Sequence, residues 1–262
     1  MTKPVLHYIH ACPFCQRAEI VLDLKGQRAA LDLVAVDITV PRPPALLALT
    51  RGSTSLPVLV TAEGVLKESL VIMRYLDAAL AGPAIAREAP YERAVEEMLI
   101  ALAGDFTAAG YRLIKNRDES QREPLRAAML EQYRLLEDFL AWQNPGGVFL
   151  FERFGLAEAV FTPMFMRFWF LDYYEGFELP AEGFERVRRW RAACLEHPAA
   201  QQVSREEILK LYYDYAVGTG NGALPPGRAR SSFVPAPHWR QRPWPPQDKY
   251  SRIASDAELG LA

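Results

Sequence analysis

The stretch Val5-Leu6-His7-Tyr8-Ile9-His10-Ala11-Cys12-Pro13-Phe14-Cys15-Gln16-Arg17-Ala18-Glu19-Ile20-Val21-Leu22-Asp23-Leu24-Lys25-Gly26 decides the fold. Val5 to Ile9 is a short apolar run that reads as a strand, and a helical pattern follows over about 14–25. Pro13 suits the first helical turn, where its missing N–H costs nothing. Cys12 therefore stands where a strand hands over to a helix. The free N–H groups and positive dipole end of the helix favour thiolate over thiol, and thiolate is the nucleophilic form. The bland alternatives are a buried structural cysteine pair and a zinc half-site. A zinc site needs further ligands at short spacing, and Cys194 is the only other cysteine, with His7 and His10 the nearest histidines. The strand-to-helix setting favours a redox or thiol-transfer motif.

Outward from this unit, the pattern predicts a strand at about 30–37, a short helix within 38–52, strands at 57–61 and 64–67, and a helix over about 69–80. Val34-Ala35-Val36-Asp37-Ile38 alternates like a half-buried strand, Glu63-Gly64 fits a tight hairpin turn, and Gly82-Pro83 ends the last helix. The order is β-α-β-α-β-β-α, with the first two strands parallel. From about residue 90 the pattern turns wholly helical. Val95, Met98, Leu99, Leu102 and Phe106 recur at helical spacing, as do Leu125, Met129, Tyr133, Leu136 and Leu140. Leu156 to Leu171 is apolar almost throughout and reads as one helix buried in a bundle, and the last helix spans Glu206 to about Ala216. Residues 217–262 are rich in Pro and Gly, which excludes helix and central strand. Phe233, Trp239, Trp244 and Tyr250 lie among the prolines and predict an extended tail pinned to the body, a solvated linker being the alternative. The expected units are 1–82, 88–216 and 217–262.

The 262 residues are half hydrophobic, and 30 basic against 32 acidic side chains leave a net charge of −2. That balance gives no reason to expect nucleic acid or an anionic membrane as partner. Three cysteines do not make a disulfide scaffold. With no apolar run of about 20 residues and no evident secretory signal, the expected setting is cytoplasmic.

Two further stretches carry chemistry. Pro57, in Leu56-Pro57-Val58, is either an edge-strand start or a cis-proline presenting backbone groups to a ligand. Glu68-Ser69 is either an ordinary helix cap or a holder of an amino-acid head group. In the second reading the helix N-terminus takes the carboxylate and Glu68 the ammonium.

Taken together, Cys12-Pro13-Phe14, Leu56-Pro57-Val58 and Lys67-Glu68-Ser69 resemble the omega-like, cysteine-containing branch of the glutathione S-transferase superfamily. Leu22-Asp23-Leu24-Lys25-Gly26, Phe161-Thr162-Pro163-Met164-Phe165, Trp169-Phe170-Leu171-Asp172-Tyr173-Tyr174-Glu175, Leu209-Lys210-Leu211-Tyr212-Tyr213-Asp214-Tyr215 and the final Asp256-Ala257-Glu258-Leu259-Gly260-Leu261 resemble the bacterial glutathione lyases of lignin β-aryl ether breakdown. The resemblance implies an α/β thioredoxin-like N-terminal domain plus an all-α C-terminal domain. It implies glutathione as cofactor, an aromatic small-molecule thioether as second partner, and a homodimer.

Residue by residue, the resemblance makes Cys12 the catalytic cysteine, flanked by Pro13 and Phe14 in the glutathione site. Leu56, before Pro57, pairs its backbone with the cysteinyl part. Glu68 and Ser69 bind the γ-glutamyl part, and Arg42 falls near a cation that approaches the glycine carboxylate, with its spacing to Pro57 off by one. Tyr111, Phe165, Trp169 and Tyr215 are the candidates for the second-substrate site, although aromatics at helical spacing usually pack in a core.

Two departures stand out. Cys15 has no counterpart in most relatives, and could either resolve a Cys12 mixed disulfide or lie inert in the core. Gly155 replaces the usual helix-capping Ser or Thr, so that helix start must be satisfied in another way.

The implied reaction is removal of glutathione from an α-glutathionyl aryl ketone, with Tyr215 serving the departing enolate. A general omega-like thioltransferase or dehydroascorbate reductase, and a non-enzymatic binding protein of the same fold, are the rivals.

Overall fold

The computed structural model describes residues 3–262. Strands β1 (Val5–Tyr8), β2 (Asp32–Ala35), β3 (Val58–Val60) and β4 (Val65–Leu66) form one sheet in the order β2-β1-β3-β4. β1 and β2 run parallel with Val5 opposite Asp32, as a connection long enough to carry helix α1 (Pro13–Leu24) allows. β3 runs antiparallel to β1 and to β4. The β3–β4 turn closes at Glu63-Gly64, where Gly64 takes φ +152° and its carbonyl accepts from Thr61 N–H at 2.8 Å. Helix α3 (Ser69–Ala79) packs beside α1. Leu6, Val21, Leu22, Leu59, Ile72 and Leu76 bury the contact. Helix α2 (Pro44–Thr50) places Leu46 in a smaller cluster with Ile9, Cys15, Leu56 and Val58.

The element order is the one the sequence predicts. The β2 stretch is more exposed than its alternation suggests, with Val34 at 41%. It is the edge strand, so only one neighbour covers it.

The second unit holds α4 (Pro90–Ala101), α5 (Ala103–Lys115), α6 (Arg122–Gln143), α7 (Leu156–Arg167), α8 (Trp169–Glu175), α9 (Glu185–Glu196), α10 (Arg205–Leu211) and α11 (Tyr213–Ala216). Every residue of α7 is buried, as expected of a helix in the middle of a bundle. Two expected helices are broken in two. The 156–171 run divides at Phe168, whose ring seats against Gly110; a Cβ there would lie 2.1 Å from it. The 206–216 run divides at Tyr212. Both breaks fall at an aromatic residue with a long-range contact, which helical periodicity does not register.

The start of α7 answers the question that Gly155 poses. Glu158 Oε2 accepts from Gly155 N–H at 2.8 Å, and Glu96 Oε1 of α4 accepts from Leu156 N–H at 2.9 Å. A neighbouring helix thus supplies the cap that a side chain at position 155 would otherwise supply.

The tail packs on the body. Of the rings singled out above, Phe233 and Trp239 pack against the core and Tyr250 Oη donates to Glu175 Oε1 at 3.0 Å, and charged groups add to them. Lys249 Nζ lies 2.5 Å from Glu175 Oε1, both fully buried, and also donates to the carbonyls of Ile114 and Asn116 at 2.5 and 3.0 Å. Arg228 pairs with Asp256, and Arg242 donates to the carbonyls of Pro237 and Ser232 at 2.8 and 2.6 Å. Ala254, Leu259 and Leu261 are buried, whereas Trp244 is 48% exposed. Among the described residues no helix is long and apolar enough to cross a membrane.

Candidate active site

Cys12 is the N-cap residue of α1, with φ −76° and ψ 124°, and its sulfur makes no capping bond. Its backbone is fixed on both sides: Cys12 N–H donates to Ile9 O at 3.0 Å and its carbonyl accepts from Gln16 N–H at 3.0 Å. The sulfur is left facing the first free amides of the helix.

Its pKa is lowered to about 7. The largest cause is a hydrogen bond from the Cys15 thiol; burial pushes the other way, and the Cys15 amide, the Arg167 charge and the Phe14 amide, in that order, add to the lowering. Cys15 is fully buried and its own thiol is pushed well up, first by that burial. The two thiols are thus pushed in opposite directions: Cys12 ionises the more readily, and Cys15 keeps its proton. Among the described residues no group of three or more His, Cys, Asp or Glu side chains converges, so His7 and His10 do not complete a metal site with these sulfurs.

Cys12 opens on a cavity of about 630 Å³ between the two units. Pro13, Phe14, Arg42 and Leu56 line it from the sheet side, and Tyr111, Tyr212 and Tyr215 from the helical side. Phe233 of the tail adds a third wall. The rings interlock: Tyr212 stacks on Tyr215 with centroids 5.1 Å apart, and Tyr111 meets Tyr215 edge-on at 5.5 Å.

Leu56-Pro57 is a cis peptide, and Leu56, not Pro57, reaches the cavity wall. Arg42 is held by the carbonyls of Thr54 and Asp37 at 3.3 and 3.2 Å.

Glu68 and Ser69 lie at the start of α3, off the walls of this cavity. Glu68 is exposed and takes φ +68°, the left-handed region that costs a residue with a Cβ about 1–2 kcal/mol. Ser69 Oγ accepts from Arg17 Nη1 at 3.1 Å. Arg17 also lies over the Phe14 ring at 5.0 Å and donates to Val160 O of α7 at 3.1 Å. One buried cation therefore connects the α3 start, the cysteine loop and the helical unit.

Two of the expected second-substrate residues are corrected. Phe165 is fully buried in the bundle, against Phe106 at 5.7 Å and Trp190 at 5.3 Å. Trp169 lies off the cavity walls and packs against the main core. The apolar residues of α7 fall on every face of the helix and all are buried, so sequence spacing gives no cue to which side chains face the cavity.

Three residues that the sequence reading passed over hold the site. Arg167 Nε and Nη2 donate to Ala11 O at 3.1 and 2.8 Å, and Tyr212 Oη donates to the same oxygen at 2.6 Å. Arg17 is the third. All three act through partners roughly 50 to 200 positions away, and an Arg at the end of an apolar helix is the only cue the sequence offers.

Tyr215 keeps its proton. Burial, first, and the neighbouring Tyr212 push its pKa up, and its hydroxyl donates to Asn221 Oδ1 at 2.8 Å. Asn221 belongs to the strap Gly218-Thr219-Gly220-Asn221-Gly222 that leaves α11 and crosses to the sheet unit. A Cβ on Gly220 would stand 2.5 Å from the Tyr215 ring, and one on Gly222, at φ +78°, 2.2 Å from Ile38 O.

Residues 6–84 match the family of the glutathione S-transferase N-terminal domain, and residues 89–193 that of the C-terminal domain. Glutathione S-transferase omega-1 of Sus scrofa is 26% identical over 74% of this chain and 78% of its own length. Among solved structures, glutathione transferase Omega 3C of Trametes versicolor aligns with a TM-score of 0.70 at 19% identity, covering 82% of this chain and 91% of that one. Rice GST1, solved in complex with glutathione, aligns with a TM-score of 0.68 at 24% identity, covering 79% of this chain and 92% of that one. The fold is thus the thioredoxin-like sheet domain joined to an all-helical domain.

Proposed function

Since the chain belongs to the glutathione S-transferase superfamily, we propose that it removes glutathione from an α-glutathionyl aryl ketone of the kind formed in lignin β-aryl ether catabolism, through Cys12. The observation that carries the reading is a cysteine with a pKa of about 7 on the wall of a cavity whose opposite side is aromatic. A serine or tyrosine at this position would activate the glutathione sulfur and leave it unbound. A thiolate favours sulfur–sulfur exchange.

Glutathione is here a substrate, and the residues present fit it. Leu56 presents its backbone to the cysteinyl part and Arg42 its cation to the glycine carboxylate. Glu68 and Ser69, beyond Arg17, take the γ-glutamyl end with the free amides of α3. The Cys12 thiolate attacks the glutathionyl sulfur and forms the sulfur–sulfur bond as the carbon–sulfur bond breaks. The bonding pair leaves on carbon as an enolate, delocalised into the adjacent carbonyl. Tyr215, which keeps its proton, turns its hydroxyl from Asn221 Oδ1 to the enolate oxygen and stabilises it, and a proton from solvent completes the ketone. Attack of a second glutathione thiolate on the mixed disulfide releases glutathione disulfide and regenerates the Cys12 thiolate.

General thiol transfer, including dehydroascorbate reduction, is the second reading, supported by the omega-class names among the similar proteins.

The purified protein is offered glutathione and an α-glutathionyl aryl ketone. Thioether-free ketone and glutathione disulfide should appear in equal amounts, and Cys12→Ser should abolish both. Thioether left intact beside brisk reduction of a small disulfide moves the assignment to general thiol transfer. Efficient conjugation of electrophiles that survives Cys12→Ser sinks both readings.

A further inference from the structure

The walls of the Cys12 cavity carry two cations, Arg42 and Lys115, and no carboxylate. Arg42 comes from the sheet unit and Lys115 from the last residue of α5 in the helical unit. Apart from the Cys12 sulfur, the charged groups on the walls are these two cations, one from each unit, and each favours an anionic group beside it.

Lys115 is placed for this by another lysine. The ammonium of a lysine at a helix C-terminus ordinarily folds back on the last carbonyls. Here those carbonyls are taken. Lys249 from the tail donates to Leu113 O, Ile114 O and Asn116 O at 3.2, 2.5 and 3.0 Å. Among the described residues the Lys115 ammonium has no hydrogen-bond or ion-pair partner, and its side chain is exposed toward the cavity. It stands beside Thr107 and Tyr111 of its own helix, near the strap residue Asn221.

We propose that the second substrate carries a carboxylate on its aryl portion and that Lys115 selects it. The inference rests on the reading that the cavity holds a glutathione thioether. The aromatic body would lie against Tyr111, Tyr215 and Phe233, with its acid group reaching the α5 end. Lys115 is a specificity-determining residue in this arrangement and takes no part in bond breaking.

The test uses two glutathione thioethers that Cys12 has no enolate route to cleave: S-(4-carboxybenzyl)glutathione and its methyl ester. Their glutathione parts are identical, so Arg42 and the γ-glutamyl contacts cancel in the comparison. Calorimetric titration of the whole protein should show the acid binding about fivefold more tightly than the ester at low salt, the gap narrowing as ionic strength rises. Lys115→Met should erase the preference, and Lys115→Arg should retain it. Equal binding of acid and ester, or a preference that persists in Lys115→Met, overturns the inference and leaves the glutathione site standing. Binding of neither thioether overturns both.

Discussion

Tyr212 Oη lies 2.6 Å from the main-chain oxygen of Ala11, the residue immediately before the reactive cysteine. The donor sits at the break between α10 and α11, and the acceptor on the loop that sets where the Cys12 sulfur points. Tyr212→Phe removes this donor with little change of shape. Stability should fall by about 1 kcal/mol, while glutathione-dependent thiol exchange should slow by roughly tenfold as the cysteine loop loosens. Melting and steady-state rates measured on the same preparation separate the two effects. An unchanged rate beside a lowered melting temperature would make Tyr212 purely structural.

The Cys15 thiol is the largest cause of the lowered Cys12 pKa. Alkylation of Cys12 by iodoacetamide should rise with pH and reach half its maximum near pH 7, because the thiolate reacts and the thiol does not. In Cys15→Ala the midpoint should climb toward about 8.5, the ordinary thiol value. Cys15→Ser retains a hydroxyl donor and should fall between. Buried and held as a thiol, Cys15 is a poor nucleophile toward a mixed disulfide, so mass spectrometry should find the same glutathione adduct on Cys12 in Cys15→Ser, with turnover lowered only as far as the smaller thiolate fraction requires. A disulfide linking Cys12 and Cys15 as the main species during turnover would contradict this.

A Cβ at position 155 would lie 2.6 Å from Glu96 Oε1. Gly155→Ala must therefore displace the carboxylate that caps α7, at about 1–3 kcal/mol. Glu96→Ala removes the cap by the other route and should cost a similar amount. The two costs should not add, since each disables one contact. Denaturant melts of both single variants and the double variant read this directly, and full additivity would show that Glu96 does not act as the cap.

Lys249→Met leaves Glu175 a buried carboxylate with Arg122 Nε at 2.9 Å and Tyr250 Oη at 3.0 Å as its remaining partners. Loss of one member of a buried ion pair costs about 3 kcal/mol or more. A drop of several degrees in melting temperature is expected, with susceptibility to proteolysis starting in residues 217–262. A variant that melts like the wild type would mean that the tail is held by its apolar residues alone.

The fold was legible because its signals are local. Val5 to Gly26 shows strand, turn and helix within one span, and Glu63-Gly64 marks its own hairpin. The reactive sulfur was legible for the same reason, as position 12 alone places it at a helix start. Arg17, Arg167 and Tyr212 were not, because each matters through a partner far along the chain: Ser69 and Val160 for Arg17, and Ala11 for the other two. Phe165 and Trp169 were misplaced because an aromatic on a buried helix looks the same whether it faces a core or a cavity. Tail anchoring by Lys249 and Arg228 escaped notice because proline and aromatic content says nothing about which charges pair.

The Ala11 carbonyl collects three donor groups, Tyr212 Oη and Arg167 Nε and Nη2, all of them from the helical unit. The cysteine loop of the sheet unit is therefore finished by residues that the sheet unit does not encode. A chimaera grafting residues 1–82 onto the helical half of a relative would carry the sulfur without the groups that aim it. Its reactivity would be set by the recipient. By the same logic, drift in α7 or at the α10–α11 break can retune the thiol while the motif around it stays letter for letter the same.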